Sequence, residues 1–175
     1  MEEYLKSRIR NVQDFPAKGI VFRDITTLLV DAEAFRKTAE ALHRLSRDHA
    51  IDKVVAIESR GFVMGSLLAE RHGAGLVLVR KPGKLPAETL SRSYDLEYGS
   101  NTLHMHRDAI VPGDRVLVHD DLLATGGTAK AACELVEQAG GKVLLVSFIV
   151  ELSFLKGREM LRNYDIAALV RYDSE

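Results

Sequence analysis

Five short runs of aliphatic and β-branched residues, at 53–57, 76–80, 115–119, 143–150 and 166–170, punctuate the chain. Near-continuous apolar runs of this length predict parallel strands covered on both faces. Segments with helical spacing lie between them. Residues 33–49 place Phe35, Ala39, Leu42 and Leu45 on one stripe, and 62–72 do the same with Met64, Leu67 and Leu68 before a stop at Gly73. Residues 128–139 group Ala132, Leu135, Val136 and Ala139 ahead of Gly140-Gly141. The alternation predicts an α/β fold, a doubly wound, mainly parallel sheet with helices on both faces. Ligands in such sheets bind beyond the carboxyl ends of the strands.

Two stretches fall outside the alternation. Residues 1–30 carry Asp14-Phe15-Pro16, Lys18-Gly19 and Ile20-Val21-Phe22, and look like an appended segment. Residues 81–106 read as a long polar connection with Pro82-Gly83 and Pro86. Long connections inside compact domains are usually mobile or functional.

Composition narrows the class. The 175 residues suffice for one domain, taken as 1–175, with 46% hydrophobic and 28% charged residues. A formal charge of −1 gives no general attraction to nucleic acid or anionic membrane. No apolar run approaches the roughly 18 residues of a membrane span, and Met1-Glu2-Glu3-Tyr4 does not open a secretory signal. Cys133 is the only cysteine, which suits a reducing cytoplasm and reads as a small buried hydrophobe.

The chemistry concentrates at residues 116–128, Val-Leu-Val-His-Asp-Asp-Leu-Leu-Ala-Thr-Gly-Gly-Thr. A strand runs into Asp120 and Asp121, then a turn, then a helix. Gly126 and Gly127 allow close backbone approach to an anion, and the amides and dipole of a helix start favour it. Thr125 and Thr128 add hydroxyl donors, and the two carboxylates suit sugar hydroxyls or a cation. No Lys follows the glycines, so this is not a Walker A loop.

This string resembles the phosphoribosyl pyrophosphate (PRPP) motif of the type I phosphoribosyltransferases, with motifs in family order from about Leu5 to Tyr172. The resemblance implies that Ala124, Thr125, Gly126, Gly127 and Thr128 hold the 5′-phosphate, while Asp120 and Asp121 hold the ribose hydroxyls.

Three further strings resemble the adenine-specific members. In residues 14–26 the family forms a hood over the base, which implies Phe22 stacked on adenine. Val21 and Arg23 flank that ring, and backbone groups near Val21 read the purine edge. By pattern alone Val21 and Phe22 read as ordinary core residues. In Glu58-Ser59-Arg60-Gly61-Phe62, Ser59 and Arg60 are implied to meet pyrophosphate, in a loop that often holds a cis non-proline peptide. In residues 79–86, Arg80, Lys81 and Lys84 gather three cations beside the same subsite; a cation cluster is otherwise a solvated face. The piece Ser93-Tyr94-Asp95-Leu96-Glu97-Tyr98-Gly99 matches the family's mobile catalytic loop, which implies Tyr98 in closure and Glu97 as the group that protonates the purine. Enzymes for 6-oxopurines carry an acid where this chain has Ala124. Thr27 stands where relatives often carry Pro.

The resemblance implies transfer of phosphoribosyl from PRPP to adenine, giving AMP and pyrophosphate, with Arg60, Asp120, Asp121 and Glu97 as catalytic residues. It further implies Mg²⁺ carried mainly by PRPP, and a homodimer. The rivals are an enzyme for another purine (xanthine, hypoxanthine or guanine) and a PRPP-sensing regulator, for which no DNA-binding segment is visible. His104 and His106 would share a face on a strand, without a ligand set at metal spacing.

Overall fold

The computed structural model describes residues 1–95 and 100–175, Asp95 by its backbone alone. In chain order the elements are α1 (Glu2–Lys6), β1 (Arg10–Gln13), β2 (Val21–Asp24), α2 (Thr26–Val30), α3 (Ala32–Ser46), β3 (Lys53–Ile57), α4 (Gly61–His72) and β4 (Gly75–Val79). They continue with β5 (Thr89–Asp95), β6 (Ser100–His106), β7 (Arg115–Leu123), α5 (Gly127–Gln138), β8 (Lys142–Leu152), α6 (Gly157–Met160) and β9 (Ile166–Tyr172).

The five apolar runs form one five-stranded sheet in the order β4-β3-β7-β8-β9, with every pairing parallel. One face packs Val55, Ile57, Val116 and Val118 against Ala132, Leu135 and Val136 of α5. The other packs Val54 and Leu117 against Leu42 of α3 and Met64 and Leu68 of α4. Successive strand residues point to opposite faces, so a strand covered on both sides must be apolar throughout. At Gly65 a Cβ would come within 2.5 Å of the Ala56 Cβ, so α4 lies close on β3.

Strand β7 runs past the expected end at His119 to Leu123, so both acids lie within it. Helix α3 ends at Ser46 rather than at 49. Leu45 is 40% exposed, because the inward stripe falls on Ala34, Thr38, Ala41, Leu42 and Ser46. Helix α4 stops at Gly73 with φ 61°.

The polar connection at 81–106 is corrected to contain an antiparallel hairpin, β5 against β6. Its signal is the alternation Leu103-His104-Met105-His106, with Leu103 and Met105 buried. Glu97 and Tyr98 lie outside the described residues. The appended segment folds as α1, the antiparallel hairpin β1–β2 and α2, anchored in the core by Leu5, Ile25 and Leu28.

Candidate active site

The site lies beyond the carboxyl ends of β3 and β7, where α/β sheets place their ligands. After β7 the chain turns through Ala124–Gly126 into α5. Gly126 has φ 89° and serves as the N-cap. A Cβ there would stand 2.5 Å from the Gly157 carbonyl oxygen, so both the backbone angle and the contact require glycine. The twelve-residue α5 presents its N-terminal amides and positive dipole end to this turn. A small pocket of about 70 Å³ beside the turn is lined by Asp120, Ala124, Gly126 and Thr128.

The turn opens onto a cleft of about 410 Å³. Ser59, Arg60, Lys81, Asp120, Asp121, Ala124 and Thr128, all expected from sequence, line it together. Arg60 Nε donates to Asp121 Oδ2 at 2.6 Å, a charge-assisted bond with the carboxylate almost wholly buried. Asp120 Oδ1 accepts from the Asp121 amide at 2.9 Å. Burial, and then the neighbouring Asp121 carboxylate, push the Asp120 carboxyl well above the usual carboxylate range. A Cβ on Gly61 would come within 2.9 Å of Asp120 Oδ1, so this glycine keeps the start of α4 clear of the acid.

The Glu58–Ser59 peptide is cis. Glu58, missed in the sequence as a site residue, accepts from Arg80 Nε at 3.1 Å and from the Lys81 amide at 3.0 Å. Burial opposes its ionisation, yet these two partners outweigh that and hold its carboxyl below the usual range. Arg80 is therefore committed to Glu58, and its Nη1 donates to the Lys84 carbonyl at 3.3 Å. Of the three expected cations, Lys81 lines the cleft, whereas Lys84 stands exposed on the loop. Tyr94 is a second missed residue: its hydroxyl bonds Thr128 Oγ1 at 3.1 Å, joining β5 to the turn. The only signal for it was its place in the Ser-Tyr string.

A neighbouring cleft of about 350 Å³ is lined by Val12, Phe15, Phe22, Asp24 and Arg60. The Phe15 and Phe22 rings meet edge to face at 5.2 Å. Arg60 Cζ lies 5.6 Å from the centre of the Phe22 ring, so Arg60 belongs to both clefts. Phe15 was legible only as part of a loop string. Val21 is half-buried on the strand that carries Phe22. The Arg23 side chain leaves the opposite face of the strand and is buried, so any part it takes in base recognition comes from its backbone.

His119 lies beneath the site, fully buried, with Nδ1 at 2.9 Å from Ser147 Oγ and Nε2 without a partner among the described residues. Burial depresses its pKa to about 4. His104 Nδ1 bonds Thr89 Oγ1 at 3.1 Å, and His106 Nε2 accepts from the Ala87 amide at 3.4 Å, so both serve the hairpin. Burial pushes the Cys133 thiol far above its ordinary value, as expected of an inert core residue.

A sheet switch point with a glycine turn, two acids and a helix start defines a phosphosugar-binding enzyme. The model of the phosphoribosyl transferase domain matches residues 25–169. Adenine phosphoribosyltransferase of Chloroflexus aurantiacus is 55% identical over 168 residues, 96% of this chain and 97% of the relative. The crystal structure of adenine phosphoribosyltransferase from Thermoanaerobacter pseudethanolicus superposes with a TM-score of 0.96 at 50% identity, covering 98% of this chain and all of the other. That from Saccharomyces cerevisiae, complexed with adenine and an imino-altritol bisphosphate, gives 0.90 at 40% identity over 96% and 97%. The chain belongs to the phosphoribosyltransferase family, in its adenine phosphoribosyltransferase branch. Its activity is transfer of a phosphoribosyl group to adenine.

Proposed function

We propose that the two clefts are the PRPP and adenine subsites of one reaction centre, joined by Arg60. The observation that carries this reading is that one guanidinium is paired with Asp121 in the first cleft and lies over Phe22 in the second. In the yeast relative, adenine and a sugar bisphosphate analogue occupy one protein together.

In this reading the amides of 124–128 and the Thr125 and Thr128 hydroxyls cradle the 5′-phosphate, and Asp120 and Asp121 accept from the ribose hydroxyls. Adenine stacks on Phe22, with Phe15 closing the side of the cleft, while backbone groups near Val21 pair with its 6-amino edge. N9 attacks C1′ from the face opposite pyrophosphate, through an oxocarbenium-like transition state. As the C1′–O bond breaks, charge grows on pyrophosphate, where the Ser59 amide, Arg60 and Lys81 stabilise it. Arg80 and Glu58 fix the Lys81 backbone rather than meeting that charge directly, and Lys84 joins on loop movement. Glu97 takes up the imidazole proton that adenine loses as the N9–C1′ bond forms, and Tyr98 helps to exclude water.

Mg²⁺ suits this site as a passenger of PRPP. Among the described residues no group of three His, Cys, Asp or Glu side chains is placed to hold a metal, and Asp121 is already engaged by Arg60. Mg²⁺ usually keeps water and substrate oxygens as ligands, and it supplies charge neutralisation on pyrophosphate. We further propose a cytoplasmic homodimer, in keeping with the single buried thiol and the family resemblance.

Isothermal titration tests the joint centre. Adenine binding is expected to tighten when a non-reacting PRPP analogue and Mg²⁺ are present, and Arg60→Ala is expected to abolish that gain. Equal adenine affinity with and without the analogue in the unaltered enzyme contradicts the shared-centre reading.

A further inference from the structure

Arg23 follows Phe22 in β2, so the two side chains leave the strand on opposite faces. Phe22 borders the base cleft, while Arg23 is only 7% exposed. The Arg23 guanidinium carbon lies 4.1 Å from the centre of the Tyr172 ring, at the end of β9. Its Nη2 donates to the Ser174 carbonyl at 3.3 Å, and its Nε is buried without a hydrogen-bond partner among the described residues. A buried cation held by one long hydrogen bond depends on the aromatic face beneath it, and a planar guanidinium uses that face in a way an ammonium does not.

Tyr172 is itself firmly placed. Lys6 Nζ lies 5.3 Å from its ring on α1, and its carbonyl accepts from Ser153 Oγ at 3.0 Å. The Arg171 amide donates to the Glu2 carboxylate at 2.9 Å. Strand β9 is paired along its length with β8 in the main sheet. The hairpin that carries Phe22 is a separate two-stranded sheet, and such a hairpin is marginal unless something holds it. Ile25 pins its end in the core; the Arg23–Tyr172 stack pins the strand next to the base-facing ring.

The geometry points to Tyr172 as a positioning residue for adenine, acting through Arg23 to fix where Phe22 stands over the base cleft. Tyr172 lines neither cleft. The inference rests on the hood reading, and its test separates the two.

Steady-state kinetics are measured for four variants whose folding is checked by melting. Tyr172→Leu keeps apolar bulk and removes the aromatic face; the KM for adenine is expected to rise about 2- to 30-fold, the range spanned by exposed to desolvated cation–π contacts. The KM for PRPP is expected to stay at its wild-type value. Tyr172→Phe restores the face and is expected to restore both constants. Arg23→Lys leaves β9 untouched and is expected to give the same split, which serves if Tyr172→Leu does not fold. Phe22→Ala is the reference for the hood. Wild-type adenine KM in Tyr172→Leu and Arg23→Lys, with a raised value in Phe22→Ala, overturns the clamp and leaves the hood standing. An unchanged adenine KM in all three removes the hood and the clamp with it. A parallel rise in both KM values in Tyr172→Leu or Arg23→Lys marks a general structural defect and overturns the clamp.

Discussion

Arg60 Nε stands 2.6 Å from Asp121 Oδ2, a pairing that links the loop after β3 to the end of β7. The same guanidinium faces the Phe22 ring. Arg60→Ala removes the partner of an almost fully buried carboxylate and, in the proposed reading, one of the cations that meet pyrophosphate. Its kcat/KM should fall for both substrates by about 10²-fold or more, as for loss of one preorganised charge donor. A loss confined to PRPP, with adenine binding intact, would separate the two clefts.

Phe22→Ala should raise the KM for adenine about 5- to 150-fold, given that aromatic stacking is worth about 1–3 kcal/mol per base. Phe15→Ala should give a smaller rise of the same kind, because Phe15 meets Phe22 by its edge at 5.2 Å. Equal damage to PRPP binding in Phe22→Ala would mark the ring as core rather than base platform.

Asp120 carries a carboxyl pushed well above the usual carboxylate range by burial and by Asp121. A carboxyl that holds its proton more tightly when folded destabilises the fold as pH rises from its unfolded pKa to its folded one. Asp120→Asn keeps an oxygen for the Asp121 amide and removes the charge. The variant should therefore melt higher than the wild type above pH 4, by a margin that grows with pH, while PRPP use collapses. A variant that melts lower at pH 7 than at pH 4, relative to wild type, contradicts this placement of the charge.

The main sheet was legible because each of its strands is apolar on both faces, so the runs at 53–57 and 115–119 needed no partner to declare themselves. The turn after β7 was legible from the Thr125-Gly126-Gly127-Thr128 string, and the structure shows why glycine stands at 126, where φ is 89° and the Gly157 carbonyl lies close. Other features depend on contacts distant in sequence. Nothing local shows that Glu58 would claim Arg80, since the two meet only across β3 and β4. Arg23 read as a neighbour of the base because it adjoins Phe22, yet strand alternation turns it toward Tyr172. The pairing of β5 with β6 was obscured by its polar outer positions and by the prolines that precede it.

His119 has a pKa lowered by burial to about 4, against 6.5 when exposed. That difference corresponds to about 3 kcal/mol. A depressed histidine contributes full stability above its unfolded pKa, and the contribution is lost as pH falls from 6.5 toward 4. Thermal melting of wild type and His119→Val between pH 7 and pH 4 should show the wild type losing ground over that window. Parallel curves would mean that the imidazole is not held neutral by burial.

Product analysis with four purines tests the central claim. The enzyme is mixed with PRPP and Mg²⁺, and adenine, hypoxanthine, guanine or xanthine is added in turn. Adenine is expected to give AMP and pyrophosphate in equal amounts, with kcat/KM about 10⁴-fold or more above any 6-oxopurine, because reversed donors and acceptors leave buried groups unpaired. Comparable nucleotide formation from hypoxanthine or guanine, or release of pyrophosphate without AMP when adenine is present, would contradict the account.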